Sequence, residues 1–445
     1  MNSEKCKKRI LAGLIVVLCF FLSSQVFAID VTRTVLPNGL IILHSENHNL
    51  PIVMVTLVIK AGQAHEPKDK AGLANLTAEL LAEGTKKRSS KEISEEIEFI
   101  AASLGVSAGN DLTTLTLSVL KKDVRKGIEL FSDVLLNPAF PPEEIKRTKD
   151  LIKGSLKRRE EDPSFLADRA FRKEVFGEHP YARLLEGSIE TIENISKEDI
   201  EKFYSARFLP NNAILSVAGD LTRDELHGLI QQYIGDWKRA DLPEKEAAMP
   251  ERKKERTVIK IEKDLTQANI VMGNLGLRRE DPDWYAVSVM NYILGGGGFS
   301  SRLMLSIRDE MGLAYDVHSA FVPLKDAGYY EIGLQTKNES ATTAIDEVLK
   351  QINKMIAEPV SDEELSEAKS FLTGSFRRRL DTNRKIADFF AMVEFYNLGP
   401  DYVAKYSDYI NAVTKEDVLR VARKYLSPEH YVLVVVANQE KTKLK

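Results

Sequence analysis

"PPEEIKRTKDLIKGSLKRREEDP", residues 141–163, is echoed by "SDEELSEAKSFLTGSFRRRLDTN", residues 361–383, about 220 residues later. A second pair follows in the same order and at nearly the same spacing: "ISKEDIEKFYSARFLPNNAILSVAGD", residues 195–220, and "VTKEDVLRVARKYLSPEHYVLVVVAN", residues 413–438. One resemblance between amphipathic helices arises by chance, but two in register indicate a duplicated domain. Between the copies lies "WKRADLPEKEAAMPERKKER", residues 237–256, charged, with two prolines and no sustained periodicity. It reads as an interdomain linker. The expected organisation is a leader at 1–28, a first domain at 29–236, the linker, and a second domain at 257–445.

Each copy mixes both periodicities. "RTVLPNGLIILHSENHNLPIVMVTLVIKAG" alternates apolar and polar residues around Asn38-Gly39, a strong hairpin signal. Helices are expected at Gly72 to Glu83 and near Ser90 to Leu104, the second opened by a capping serine ahead of acidic residues. "DLTTLTLSVL", residues 111–120, returns to period two. This order predicts an α+β fold: two homologous α/β sandwich domains, each a mostly antiparallel sheet with helices on one face.

Composition bounds the function. At 445 residues, 43% hydrophobic and 29% charged, the chain is long enough for two globular domains. Lys5, Lys7, Lys8 and Arg9 precede an apolar run from Ile10 to Leu22 and a small-residue end at Ala28, the pattern of a cleaved secretory signal. The run is shorter than the roughly 20 residues a spanning helix needs, so no membrane association is expected after cleavage. Both cysteines, Cys6 and Cys19, leave with the leader, and with them any disulfide or thiolate ligand. Cleavage takes the formal charge from −4 to −7, and an acidic surface without a basic block argues against nucleic acid.

"GLANLTAELLAEGT", residues 72–85, is an amphipathic helix without a histidine. Asn75, Glu79 and Glu83 form a row at helical spacing that a solvated face explains better than a cation site. His44 and His48 of "HSENH" stand four apart, but on a strand end rather than a helix, and read as solvated. His179 has no ligand partner at recognisable spacing. "GGGG", residues 295–298, lacks a phosphate-loop lysine and reads as a tight connection between helices. Gly312 reads as a helix stop, and "LAYDVHSAF", residues 313–321, as a strand.

With "LPNGL", "NPAFPPEEI", "FYSARFLPNNAILSVAGD" and "SSRLMLSIRDEMGLAYDV" in this order, nearly the whole chain after the leader resembles the pitrilysin, insulysin and mitochondrial processing peptidase family of inverted-motif zinc peptidases. In active members of that family the first helix carries H-x-x-E-H, two imidazoles for zinc and a glutamate base, completed by a glutamate from a later helix. The frame from "AGLA" to "EGT" aligns without a gap and places Asn75, Ala78 and Glu79 at these positions; the later glutamate falls near Gly154 or Ser155. No metal or other cofactor is therefore expected on this chain. The resemblance further implies that Arg308 and Tyr315 reach toward a peptide substrate, as a carbonyl grip and an oxyanion donor. It also puts peptide pairing at a sheet edge within 105–119. Some bacterial members work in pairs, one chain carrying zinc and the other the Arg and Tyr. The leading expectation is thus a periplasmic non-catalytic subunit with an H-x-x-E-H partner that brings the zinc. The alternatives are a structural or chaperone-like peptide-binding subunit and a self-sufficient metallopeptidase with a rebuilt site.

Overall fold

The Asn38-Gly39 turn forms where alternation predicts it. Gly39 adopts φ +91°, and the Leu36 amide donates to the Leu40 carbonyl at 2.9 Å. The turn joins strands β1 (Thr32–Val35) and β2 (Ile41–Glu46), which pair antiparallel. The computed structural model describes residues 29–243 and 249–444, so the expected leader lies outside the described residues.

With β3 (Ile52–Ile59), β4 (Ser103–Ala108), β5 (Thr113–Leu120) and β6 (Ala213–Gly219), the first sheet has the order β1-β2-β6-β3-β5-β4. Only β2 and β6 pair in parallel. The second sheet uses β7 (Thr257–Glu262), β8 (Gln267–Leu275), β9 (Ala314–Val322), β10 (Tyr329–Lys337) and β11 (Val432–Ala437), in the order β7-β11-β8-β10-β9. Again one pair, β7 with β11, is parallel. The sequence repeat is therefore also a repeat of strand order. In each sheet a fully buried apolar strand sits inside the order, "AILSVAG" (β6) between β2 and β3 and "VLVVVA" (β11) between β7 and β8.

Helix α1 is Leu73–Leu80 and α2 is Ser90–Phe99. Ser89 and Glu92 close a capping box on α2, as the sequence predicts. The helix stops short of Leu104 because Ala101 turns to φ +50° and the chain enters β4. The repeated blocks form α3 (Pro142–Arg159) and α5 (Lys197–Arg207), with α4 (Pro163–Phe176) between them, matched by α6 (Asp362–Phe376) and α8 (Lys415–Tyr425), with α7 (Asn383–Phe395) between them. No helix among the described residues is long and apolar enough to cross a membrane.

Each sheet has helices of its own half on one face, and on the other a helix from the opposite half. Helix α4 packs on β8 and β11, while α7 packs on β3 and β6. On α4, Phe171 and Phe176 are buried and meet Tyr329 of β10 edge-on at 6.1 and 5.7 Å. On α7, Asp388 accepts from Thr56 Oγ1 at 2.6 Å, Asn383 Oδ1 accepts from Asn47 at 2.7 Å, and Glu394 takes Arg33 in two hydrogen bonds of 2.9 and 3.0 Å. Val271, Leu275, Val432, Val434 and Val436 accordingly belong to the core of the first half. The connection from β9 to β10 adds a further tie. The Lys325 amide donates to Asp111 at 3.1 Å, and the buried Tyr181 hydroxyl donates to the same carboxylate.

The segment expected as a linker carries no helix or strand among its described residues. It is nevertheless anchored. Trp237 is buried with its indole donating to the Phe208 carbonyl at 3.1 Å, Arg252 caps α8 through the Lys424 and Tyr425 carbonyls, and Lys253 pairs with Glu174 at 2.6 Å.

Candidate functional site

Helix α1 begins at Gly72, with φ +94°, where a Cβ would lie 2.5 Å from the Glu186 carbonyl oxygen. Glycine is thus required, and it brings no capping side chain. Glu66 supplies the cap from outside the helix, accepting from the amides of Ala74 at 2.8 Å and Gly72 at 3.2 Å. Burial pushes its carboxyl up to about 8, against the pull of these two amides.

Leu73, Leu76 and Leu80 turn into the core, and Ala78, expected from the resemblance at the position of the base, is fully buried with them. Asn75 donates its amide to Glu79 Oε1 at 2.9 Å. Glu79 keeps much of its surface in solvent, yet surrounding protein raises its pKa, with Glu186 and Glu83 adding repulsion and Asn75 opposing. Gly154, which offers no donor, lines an open cleft of about 640 Å³ between α3 and Ile189–Asn194, where Lys153 binds Asp150 at 3.0 Å and Glu193 at 2.7 Å. One amide, one methyl and one carboxylate do not make a zinc site. Among the described residues, no group of three or more His, Cys, Asp or Glu side chains is arranged to hold a metal ion.

The other histidines and acids have separate partners. His44 is buried, not solvated, with Nε2 at 2.9 Å from the Leu221 carbonyl, and burial lowers its pKa. His48 lies 2.6 Å from Asp220, which raises its pKa. His179, too, is buried; its Nδ1 accepts from the Tyr181 amide at 3.2 Å. Glu83 binds Arg147 at 2.6 Å and Ser90 at 2.7 Å, so it does not extend the row of Asn75 and Glu79.

In the second half, the expected tight connection proves to be two π-helical segments, Tyr292–Gly296 and Met304–Glu310, around a single 3₁₀ turn at Gly298–Ser300. Such wide turns are rare and concentrate at functional sites. Arg308 sits on the second, and Gly312 ends it at φ +62° as expected. Tyr315 lies near the start of β9, the edge strand of its sheet, and is 87% exposed. The Arg308 guanidinium lies 5.7 Å from the Tyr315 ring centre and 4.8 Å from that of Phe299. Its hydrogen-bond partner is the neighbouring Asp309 at 3.1 Å. The structure thus brings Arg308 and Tyr315 together; among the described residues no hydrogen bond or ion pair joins either to Asn75 or Glu79. In the first half, β4 is the outermost strand, with one side of its backbone unpaired in the sheet order.

The sequence reading missed Glu66 and Phe299. The cap carries no signal, because the acceptor precedes the helix across a loop. For Phe299, a large apolar residue directly after four glycines was the available hint.

Comparison with known proteins agrees with this architecture. Residues 41–188 match the family model described as insulinase (peptidase family M16), and residues 194–372 match that described as the peptidase M16 inactive domain. The chain is 29% identical over 345 residues to the non-peptidase homolog YmxG of Helicobacter pylori, covering 77% of this chain and 78% of that one. It is 26% identical over 404 residues to an uncharacterized zinc protease of Rickettsia bellii, covering 90% of each. A crystal structure of a peptidase M16 inactive domain from Pseudomonas fluorescens superposes with a TM-score of 0.86 at 28% identity, over 92% of this chain and 98% of that one. A Helicobacter pylori protease structure shares the fold, with a TM-score of 0.85 at 20% identity over 92% and 99% of the two chains. The chain belongs to peptidase family M16, and its helix α1 carries no histidine.

Proposed function

We propose that this protein is a non-catalytic subunit of a periplasmic peptidase, which pairs with an H-x-x-E-H chain and offers Arg308 and Tyr315 to the peptide being cleaved. One observation carries the reading: the positions aligned with the zinc motif hold Asn75, Ala78 and Glu79, while a half-buried Arg308 stands beside an exposed Tyr315. A guanidinium held near two rings and by Asp309 still has N–H groups left for peptide carbonyls, and a phenol donates to a developing oxyanion. Neither group has work to do without a metal-bound water nearby, so the hydrolytic centre belongs to a partner. The leader-like start at 1–28 supports export, and similarity to a non-peptidase homolog supports the loss of intrinsic activity.

The test is co-purification from the native host followed by zinc analysis of each separated chain. The expected result is zinc on the partner and none held tightly here, with peptide hydrolysis only by the mixture. A tight equivalent of zinc on this chain, or chelator-sensitive hydrolysis by it alone, would overturn the proposal. Full partner activity with both Arg308→Ala and Tyr315→Phe would assign the chain a structural role instead.

A further inference from the structure

We infer that Phe299 is a positioning residue for Arg308, and that the glycine run exists to hold its ring there; this rests on the function proposed above. The Phe299 ring is 68% exposed at the surface, open to a charged neighbour. The Arg308 guanidinium lies 4.8 Å from the ring centre, within the range of a cation–π contact.

The connection that presents Phe299 is tightly fixed. A Cβ at Gly295 would stand 2.6 Å from the Ser319 amide nitrogen of β9, at Gly296 2.5 Å from the Asn291 side chain, and at Gly297 2.7 Å from the Tyr292 carbonyl oxygen. These three glycines let the segment lie directly on the strand and helix beneath it. Gly298 then turns at φ +62°, and the fully buried Ser301 locks the turn, its amide and hydroxyl both donating to the Gly298 carbonyl at 3.0 and 2.7 Å. Phe299 occupies the summit of that turn. An arginine on a surface helix samples many rotamers, and ordering it on binding costs affinity. Phe299 and Tyr315 both lie within cation–π range of Arg308 and Asp309 takes one of its N–H groups at 3.1 Å, so the guanidinium is ordered before a peptide arrives and still has N–H groups left to donate.

The test uses the complex with the H-x-x-E-H partner and an unstructured peptide bearing a fluorophore and a quencher. Phe299→Ala is expected to lower kcat/KM about two- to fivefold, the worth of one exposed cation–π contact, without changing the melting temperature. Phe299→Leu keeps apolar bulk but no ring and is expected to fall equally, while Phe299→Trp restores activity. Combined with Arg308→Ala, Phe299→Ala is expected to add nothing, since it acts through that side chain. If Arg308→Ala is damaging but Phe299→Ala is harmless, if Phe299→Leu is fully active, or if the double variant shows additive loss, the inference is wrong and the proposed function stands. If Arg308→Ala is itself without effect, the proposed function fails first.

Discussion

Tyr315 is the residue at which structural and functional roles separate most cleanly. Its side chain is almost fully exposed, so Tyr315→Phe removes a donor and nothing that holds the fold. The partner's kcat is expected to fall on the order of 10²-fold, as for loss of one oxyanion donor, with an unchanged thermal melt. Glu66 is the opposite case, a buried group with no substrate to touch. Its folded-state pKa, about 8, lies above the ordinary 4.5, so between these values the native state holds a proton that the unfolded chain has released. Its contribution to stability is therefore largest at low pH and falls as pH rises through 8. Urea denaturation should show the stability of wild type relative to Glu66→Gln decreasing steadily from pH 5 to pH 8.5. That helix α1 carries no imidazole was legible from residue identity alone. Burial of His44 and His179 was not, since it depends on the Leu221 carbonyl and on Tyr181, remote from the first and packed against the second.

At the scale of elements, local signals did well where the physics is local. The Asn38-Gly39 hairpin, the Ser89 box and the Gly312 stop all formed as read. What escaped was the identity of the surface each helix covers: amphipathic spacing specifies an apolar stripe but not the sheet that receives it. The π-helical turns around Arg308 likewise depend on tertiary packing. One brace for that region comes from α6. Ser361 and Glu364 form its capping box, and the same Glu364 carboxylate binds Arg302 at 2.6 and 2.9 Å, just ahead of the Arg308 turn. Ser361→Ala is expected to cost about 1 kcal/mol, the loss of a cap. Glu364→Ala is expected to cost more, about 2–3 kcal/mol, because it also leaves a largely buried guanidinium without its partner. Chemical denaturation of the two variants measures the difference.

Exchange of α4 and α7 between the halves determines how the whole molecule responds to stress. The repeat was visible in the sequence and implied two independent domains, yet each sheet leaves one apolar face for a helix encoded in the other half. Val271, Val432 and Val434 would meet water if α4 left, so neither half is expected to keep its structure without the other. The two tryptophans provide separate reporters: Trp237 is buried against the first half through its bond to Phe208, and Trp284 opens a helix of the second half, stacked with Arg279 at 4.9 Å. In single-tryptophan variants made by replacing the other with Phe, both signals are expected to change at one denaturant midpoint. Phe171→Ala removes a fully buried ring of α4 from the surface of the second sheet, a loss of about 3–5 kcal/mol by analogy with other buried aromatics. Although Phe171 is encoded in the first half, the Trp284 midpoint should move down together with that of Trp237. Two separated transitions, or a shift confined to Trp237, would mean that the crossing helices lie on the sheets without coupling them.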